Sequence, residues 1–82
     1  MTVRLRLFAR AREAAGTSTA ELNASTLGEA LDQARVSYGA EFAAVRDASR
    51  VWINGDEPLE GDATPLQDGD EVAVLPPVSG GG

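Results

Sequence analysis

The 82 residues include seven arginines and thirteen acids but no lysine, histidine or cysteine, for a net charge of −6. With 43% hydrophobic and 24% charged content, a chain of this length builds one small domain around one modest core and has no room for a deep private active site. The missing residue types exclude disulfides, zinc, iron–sulfur or haem sites built on His or Cys, a Cys persulfide, a Ser–His–Asp triad and a lysine Schiff base.

Val3, Leu5 and Leu7 alternate with Arg4, Arg6 and Phe8, the period of two expected of a strand with one buried face. Ala9 to Ala15 is rich in helix formers and stops at Gly16, which predicts one short helical turn. Residues 18–24 form a weaker alternating segment that can return antiparallel to the first strand. Thr26-Leu27-Gly28-Glu29 fits a capping box, and Leu27, Ala30, Leu31, Ala34 and Tyr38 follow helical spacing, so the main helix is predicted over 27–38 and ends at Gly39. Phe42, Ala43 and Val45 are expected in a short covering turn. Arg50 to Ile53 reads as a strand followed by the tight-turn pair Asn54-Gly55. Leu59 is expected on a short edge strand, Leu66 as a core plug carried by a loop, and Glu71 to Leu75 as the last strand after Asp68-Gly69-Asp70.

The order strand, strand, helix, strand, short strand, strand predicts an α+β architecture. The first and last strands lie parallel at the centre of a mixed sheet of about five strands wrapped on one helix, because a helical crossover joins parallel strands whereas a tight turn cannot. This is the β-grasp, or ubiquitin-like, arrangement. Arg4, Arg6, Arg10 and Arg12 precede the first acid, leaving three arginines against thirteen acids in residues 13–82. A basic first strand on an acidic body disfavours nucleic acid and suits a basic protein partner. The amino terminus lacks a continuous apolar run and no stretch could span a bilayer, so no membrane role and a cytoplasmic location are expected.

Residues 1–75 are expected to form the base, and residues 76–82, Pro-Pro-Val-Ser-Gly-Gly-Gly, a flexible arm. The prolines end the sheet and favour an extended path, and the glycines can pass through a channel too narrow for side chains. The distinctive group of the arm is the carboxylate of Gly82. Converted to an acyl-adenylate, it gains a leaving group and can accept a sulfur nucleophile to become a thiocarboxylate. Without cysteine, this is where the chain could carry sulfur covalently. The bland alternative is an inert Gly-rich end; the β-grasp pattern, the Pro-Pro stiffener and the final glycines favour a working arm.

Leu7-Phe8-Ala9-Arg10-Ala11-Arg12-Glu13 with Gly16, Asp68-Gly69-Asp70-Glu71-Val72-Ala73, and Pro76-Pro77-Val78-Ser79-Gly80-Gly81 occur in order along the whole chain. On these motifs the sequence resembles the small, sulfur-carrying subunits of molybdopterin synthase. The resemblance implies that an adenylyltransferase of the ubiquitin-activating type uses ATP and magnesium on the terminal glycine, with no cofactor bound by this chain. A sulfur-transfer system then makes the thiocarboxylate, and the tail enters the large catalytic subunit of a heterotetrameric synthase to donate sulfur to a pyranopterin precursor. Gly80, Gly81 and Gly82 would form the reactive end. The family usually stops at two glycines, so Gly82 is a departure that leaves open which glycine is activated.

By strand parity Phe8, Trp52 and Leu75 share the open sheet face, an exposed apolar patch suited to a protein partner. The resemblance implies that Phe8 and Leu75 match interface positions and that Pro76, Pro77 and Val78 enter the partner with the tail. Trp52 reads equally as a partly buried core residue. Arg12 reads either as a partner for an acid on the large subunit or as a surface ion pair. The acids Asp56, Glu57, Glu60 and Asp62 lack the spacing of a calcium loop and read as a solvated loop. A carrier for thiamine or cysteine synthesis, a protein modifier joined to lysines and a noncovalent binding module remain as alternatives.

Overall fold

The computed structural model describes residues 2–77, and the expectations placed on Val78, Gly80, Gly81 and Gly82 lie outside these described residues. Four strands form the sheet: β1 (Thr2–Leu7), β2 (Thr19–Asn23), β3 (Arg50–Ile53) and β4 (Glu71–Leu75), in the order β2-β1-β4-β3. β1 pairs antiparallel with β2 and parallel with β4, and β4 pairs antiparallel with β3. The central parallel pair is the β-grasp topology that the element order predicts.

Strand parity fixes the core. Val3, Leu5 and Leu7 from β1 and Val72 and Val74 from β4 are buried on one face, while Arg4 and Arg6 alternate to the other. Helix α2 (Leu27–Tyr38) packs Leu27, Ala30, Leu31 and Ala34 into the same core. At its start Thr26 Oγ1 accepts from the Glu29 amide at 3.2 Å, and Glu29 Oε1 accepts from the Ser25 amide at 3.2 Å, so the capping box closes one residue further back than its simplest form. Leu66 is buried from a loop, as expected, where its amide donates to the Ser25 carbonyl at 2.8 Å.

Two sequence expectations are corrected. The segment around Phe42 is helix α3 (Ala40–Asp47), not a short turn. Gly39 ends α2 and starts α3 in one residue: its amide donates to the Arg35 carbonyl, its carbonyl accepts from Ala43, and its φ of 96° suits glycine alone. α3 seats Phe42, with no exposed surface, edge-on to Tyr38 at a centroid distance of 5.2 Å. The second correction is the strand expected at Leu59, since the sheet of the described residues has four strands rather than five. After the Asn54-Gly55 turn the chain passes Pro58, which has no amide to donate. Leu59 is 93% exposed, and a short 3₁₀ turn, Gly61–Ala63, follows.

That 3₁₀ turn lies against α2. A Cβ built on Gly28 would meet the Asp62 Cβ at 2.9 Å and the Asp62 carbonyl oxygen at 3.1 Å, so Gly28 permits the approach. Asp62 also accepts from Arg46 of α3 at 3.1 Å, tying the loop to both helices.

Phe42→Ala should lower the unfolding free energy by about 3–5 kcal/mol, the usual cost of an aromatic cavity, whereas Leu59→Ala should change it by less than about 0.5 kcal/mol. Urea denaturation followed by circular dichroism measures both. Equal effects would show that α3 is not part of the core.

Candidate functional site at the open sheet face and the end of β4

The two central strands run in the same direction, so their carboxyl ends emerge together. Leu7 pairs with Val74, and Phe8 stays extended (φ −119°, ψ 152°) with its amide donating to the Val74 carbonyl at 3.3 Å. This continues the ladder one step and sets Phe8 beside Leu75. On the far side of β4, Trp52 pairs with Ala73 and Arg50 with Leu75. Phe8, Trp52 and Leu75 therefore occupy neighbouring rows of the open face, as parity predicts. Phe8 is 36% exposed, and Trp52 and Leu75 are half-buried. Trp52 lies on the outer face and is half-buried there, whereas its neighbours Val51 and Ile53 pack against the core, so the reading of Trp52 as a core residue is corrected.

The face is graded along β4. Glu71 lies in a charged row with Arg4, Ala73 in a row with Arg6 and Trp52, and Leu75 in a row with Phe8 and Arg50. Apolar surface is thus concentrated where the chain leaves the sheet. Arg6 bridges the two regions, with its guanidinium 5.3 Å from the Phe8 ring centroid and 3.6 Å from Glu71. Both groups are exposed, so these contacts orient the ring more than they stabilise the fold.

After Leu75 the strand stops. Pro76 is buried and Pro77 exposed, so the body extends one residue into the segment read as the arm. The prolines border a hollow of ≈ 240 Å³ lined by Arg10 from helix α1 (Ala9–Ala15) and by Ala44, Val45 and Ala48 on or just after α3. The sequence reading missed Arg10 and this hollow because it took α3 for a turn; the small residues Ala44 and Ala48, four apart, were the available signal. Arg12 is exposed in the last turn of α1, and no ion pair or side-chain hydrogen bond engages it among the described residues. The surface ion pair that was one of its two readings is not formed there.

Ala9, between Phe8 and Arg10, has φ of 49°, a left-handed conformation costly for alanine. It lets the chain turn from strand to helix without moving Phe8 off the open face. In the acidic loop Glu57 lies 3.9 Å from Arg50 and Asp62 pairs with Arg46. No group of three or more acidic residues is placed to hold a metal ion among the described residues. No helix among them is long and apolar enough to cross a membrane.

Comparison with known proteins places the chain. The model of the ThiS family matches residues 5–81. The chain belongs to the ThiS family. The molybdopterin synthase sulfur carrier subunit of Escherichia coli is 34% identical over 80 residues, covering 96% of this chain and 99% of that protein. Small archaeal modifier protein 3 of Haloferax volcanii is 36% identical over 92 residues, covering 99% and 100%. Among solved structures, small archaeal modifier protein 1 from Methanosarcina acetivorans matches with a TM-score of 0.85 at 33% identity, over 96% of this chain and 95% of that one. A chain from the complex of subunits 1 and 2 of the molybdopterin-converting factor of Helicobacter pylori matches with a TM-score of 0.69 at 26% identity, over 98% and 99%. This ThiS-family chain is therefore a ubiquitin-like β-grasp protein of the sulfur-carrier class.

Ala9→Gly should raise stability by up to about 1 kcal/mol by removing the left-handed penalty, with little change at the sheet face. Thermal melting tests this, and a lowered melting temperature would show that the turn carries no strain.

Proposed function

We propose that this chain carries sulfur for molybdopterin synthesis, with its C-terminal carboxylate as the working group. The observation that carries this reading is the end of β4. The strand is held on both sides by β1 and β3 and leads out of the body at Pro77, beside an apolar rim of Phe8, Leu75 and Trp52. The chain then runs on to Gly80, Gly81 and Gly82. The similarity to the Escherichia coli sulfur carrier subunit over nearly the full length of both proteins supports the assignment.

The chemistry asks little of the base. An activating enzyme of the ubiquitin type joins the terminal carboxylate to AMP with release of pyrophosphate, using ATP and magnesium as its own substrates. Sulfur from a donor then attacks the acyl carbon and AMP departs with the bonding electrons. The resulting thiocarboxylate enters the large synthase subunit, which contributes the pocket and the acid–base groups that this chain lacks. The sheet face supplies docking area, and Arg12, exposed in the last turn of α1, offers an unengaged cation. The Helicobacter pylori structure, a complex of subunits 1 and 2 of the molybdopterin-converting factor, supports a partner of the large-subunit kind.

A modifier function is the second reading, favoured by the 36% identity to small archaeal modifier protein 3. The two diverge at the acceptor: sulfur in one case, a lysine of another protein in the other.

Intact mass spectrometry after incubation with an activating enzyme, ATP, magnesium and a sulfur source should show one terminal oxygen exchanged for sulfur. Adding the large subunit and the cyclic pyranopterin precursor should then consume that species. A stable amide to a target lysine in its place would favour the modifier. Deleting Gly81 and Gly82 should abolish sulfur loading while leaving the melting temperature unchanged, because the core of the described residues ends with Val74; loss of cooperative melting would contradict a separate base and arm. Replacing Phe8 and Leu75 together by Ala should weaken large-subunit binding by about 2 kcal/mol or more, the level that marks an interface anchor. Calorimetric titration reads this, and undiminished affinity would remove the sheet face from the interface.

A further inference from the structure

All seven basic side chains are guanidinium groups, and no side chain in the 82 residues offers a primary amine, a thiol or an imidazole. The fold does not demand this. Arg35 and Arg46 donate hydrogen bonds to Asp32 and Asp62 at 3.0 and 3.1 Å, each through one nitrogen to one oxygen, contacts that an ammonium can also make. Arg6 stacks on Phe8, which a lysine can also do. Arg50 only lies 3.9 Å from Glu57, and Arg4, Arg10 and Arg12 make no ion pair or side-chain hydrogen bond among the described residues. A lysine would carry the same charge at these four exposed positions, yet none is present.

The positions matter because of where the chain leaves the body. Arg10 borders the same hollow as Pro76 and Pro77, and Arg50 is paired with Leu75. Five residues follow Pro77, and five residues of any conformation reach at most about 17 Å. An amine at Arg10 or Arg50 would therefore lie within reach of an activated carboxyl at the end of the same chain, and exposed amines elsewhere would be open to neighbouring copies.

We propose that the lysine-free, cysteine-free surface is a chemical safeguard: it leaves the chain's own activated terminus no side-chain acceptor near the end of β4 while preserving positive charge there. The inference rests on the activated-terminus reading above. The reaction avoided is simple. A neutral amine attacks the acyl carbon, a C–N bond forms, the C–O bond to phosphate breaks, AMP leaves with the electron pair and a proton passes to water. About 1% of lysine side chains are neutral near pH 8.4, and a short tether raises the local concentration of the reactants to the millimolar range. Guanidinium groups stay protonated and lack an available lone pair. Serine and threonine hydroxyls are weak nucleophiles without a base, and the chain has no histidine to act as one.

The test compares the unaltered chain with Arg10→Lys and Arg50→Lys, each incubated with an activating enzyme of the ubiquitin type, ATP and magnesium without a sulfur source. Pyrophosphate exchange reads activation, and intact mass with denaturing gels reads the product. The unaltered chain should exchange pyrophosphate and remain a free acid. At least one lysine variant, activating at the same rate and melting at the same temperature, should accumulate either a cyclic product lighter by one water or a covalent pair of chains. Its level should be about tenfold or more above the unaltered chain, given the tethered concentration. Variants that activate normally but form no such amide would overturn the safeguard and leave the carrier reading intact. Failure of the unaltered chain to exchange pyrophosphate would overturn the carrier reading, and the safeguard with it.

Discussion

The parallel pairing of β1 with β4 is the constraint on which the rest of the molecule depends. Two parallel strands cannot be joined by a tight turn, so the chain between them must cross over, and that crossover contains α2, α3 and β3. α2 then covers one face of the sheet and leaves the other open. The same pairing brings the ends of β1 and β4 out side by side, setting Phe8 beside Leu75 and Pro76 close to α1 and α3. Closing the core and bringing the end of β4 out beside Phe8 are consequences of one strand arrangement.

Chemistry and packing are separated in this molecule to an unusual degree. Among the described residues the core contains no buried polar or charged residue, and no buried side-chain nitrogen or oxygen lacks a hydrogen-bond partner. Charged groups lie on the surface in pairs of modest energy, such as Arg35 with Asp32 and Arg6 with Glu71. The carrier function proposed above puts the reactive atom at the chain terminus and the acid–base chemistry in another protein, and so asks the body for packing and a docking surface rather than for a reactive side chain.

Much of this was legible from residue order because the relevant signals are local. The alternation Val3, Leu5, Leu7 fixes the inward face of β1, Thr26 and Glu29 mark the start of α2, and Asn54-Gly55 forms its two-residue turn with both residues left-handed. α3 was less legible because its start depends on Gly39 serving two helices, and its eight residues bury only Phe42. Leu59 misled for a related reason: an apolar residue after a hairpin resembles an edge strand, but Pro58 and the Gly61–Ala63 turn divert the chain before any pairing forms. At the functional face, parity placed Phe8, Trp52 and Leu75 correctly, whereas the hollow around Arg10 depends on how α1 and α3 pack, which no local pattern encodes.

The middle position of β4 has a mechanical consequence. Its backbone is bonded on one edge to β1, which runs in the same direction, and on the other to β3. Traction applied beyond Pro77 runs along the strand axis and tends to slide β4 between its neighbours, so the ladder bonds on both edges resist together instead of opening one by one. An edge strand pulled outward would unzip sequentially. A machine that grips this protein by its tail therefore meets the lattice in its most resistant direction, so a terminus proposed as the working end is also a poor handle for tearing the domain apart.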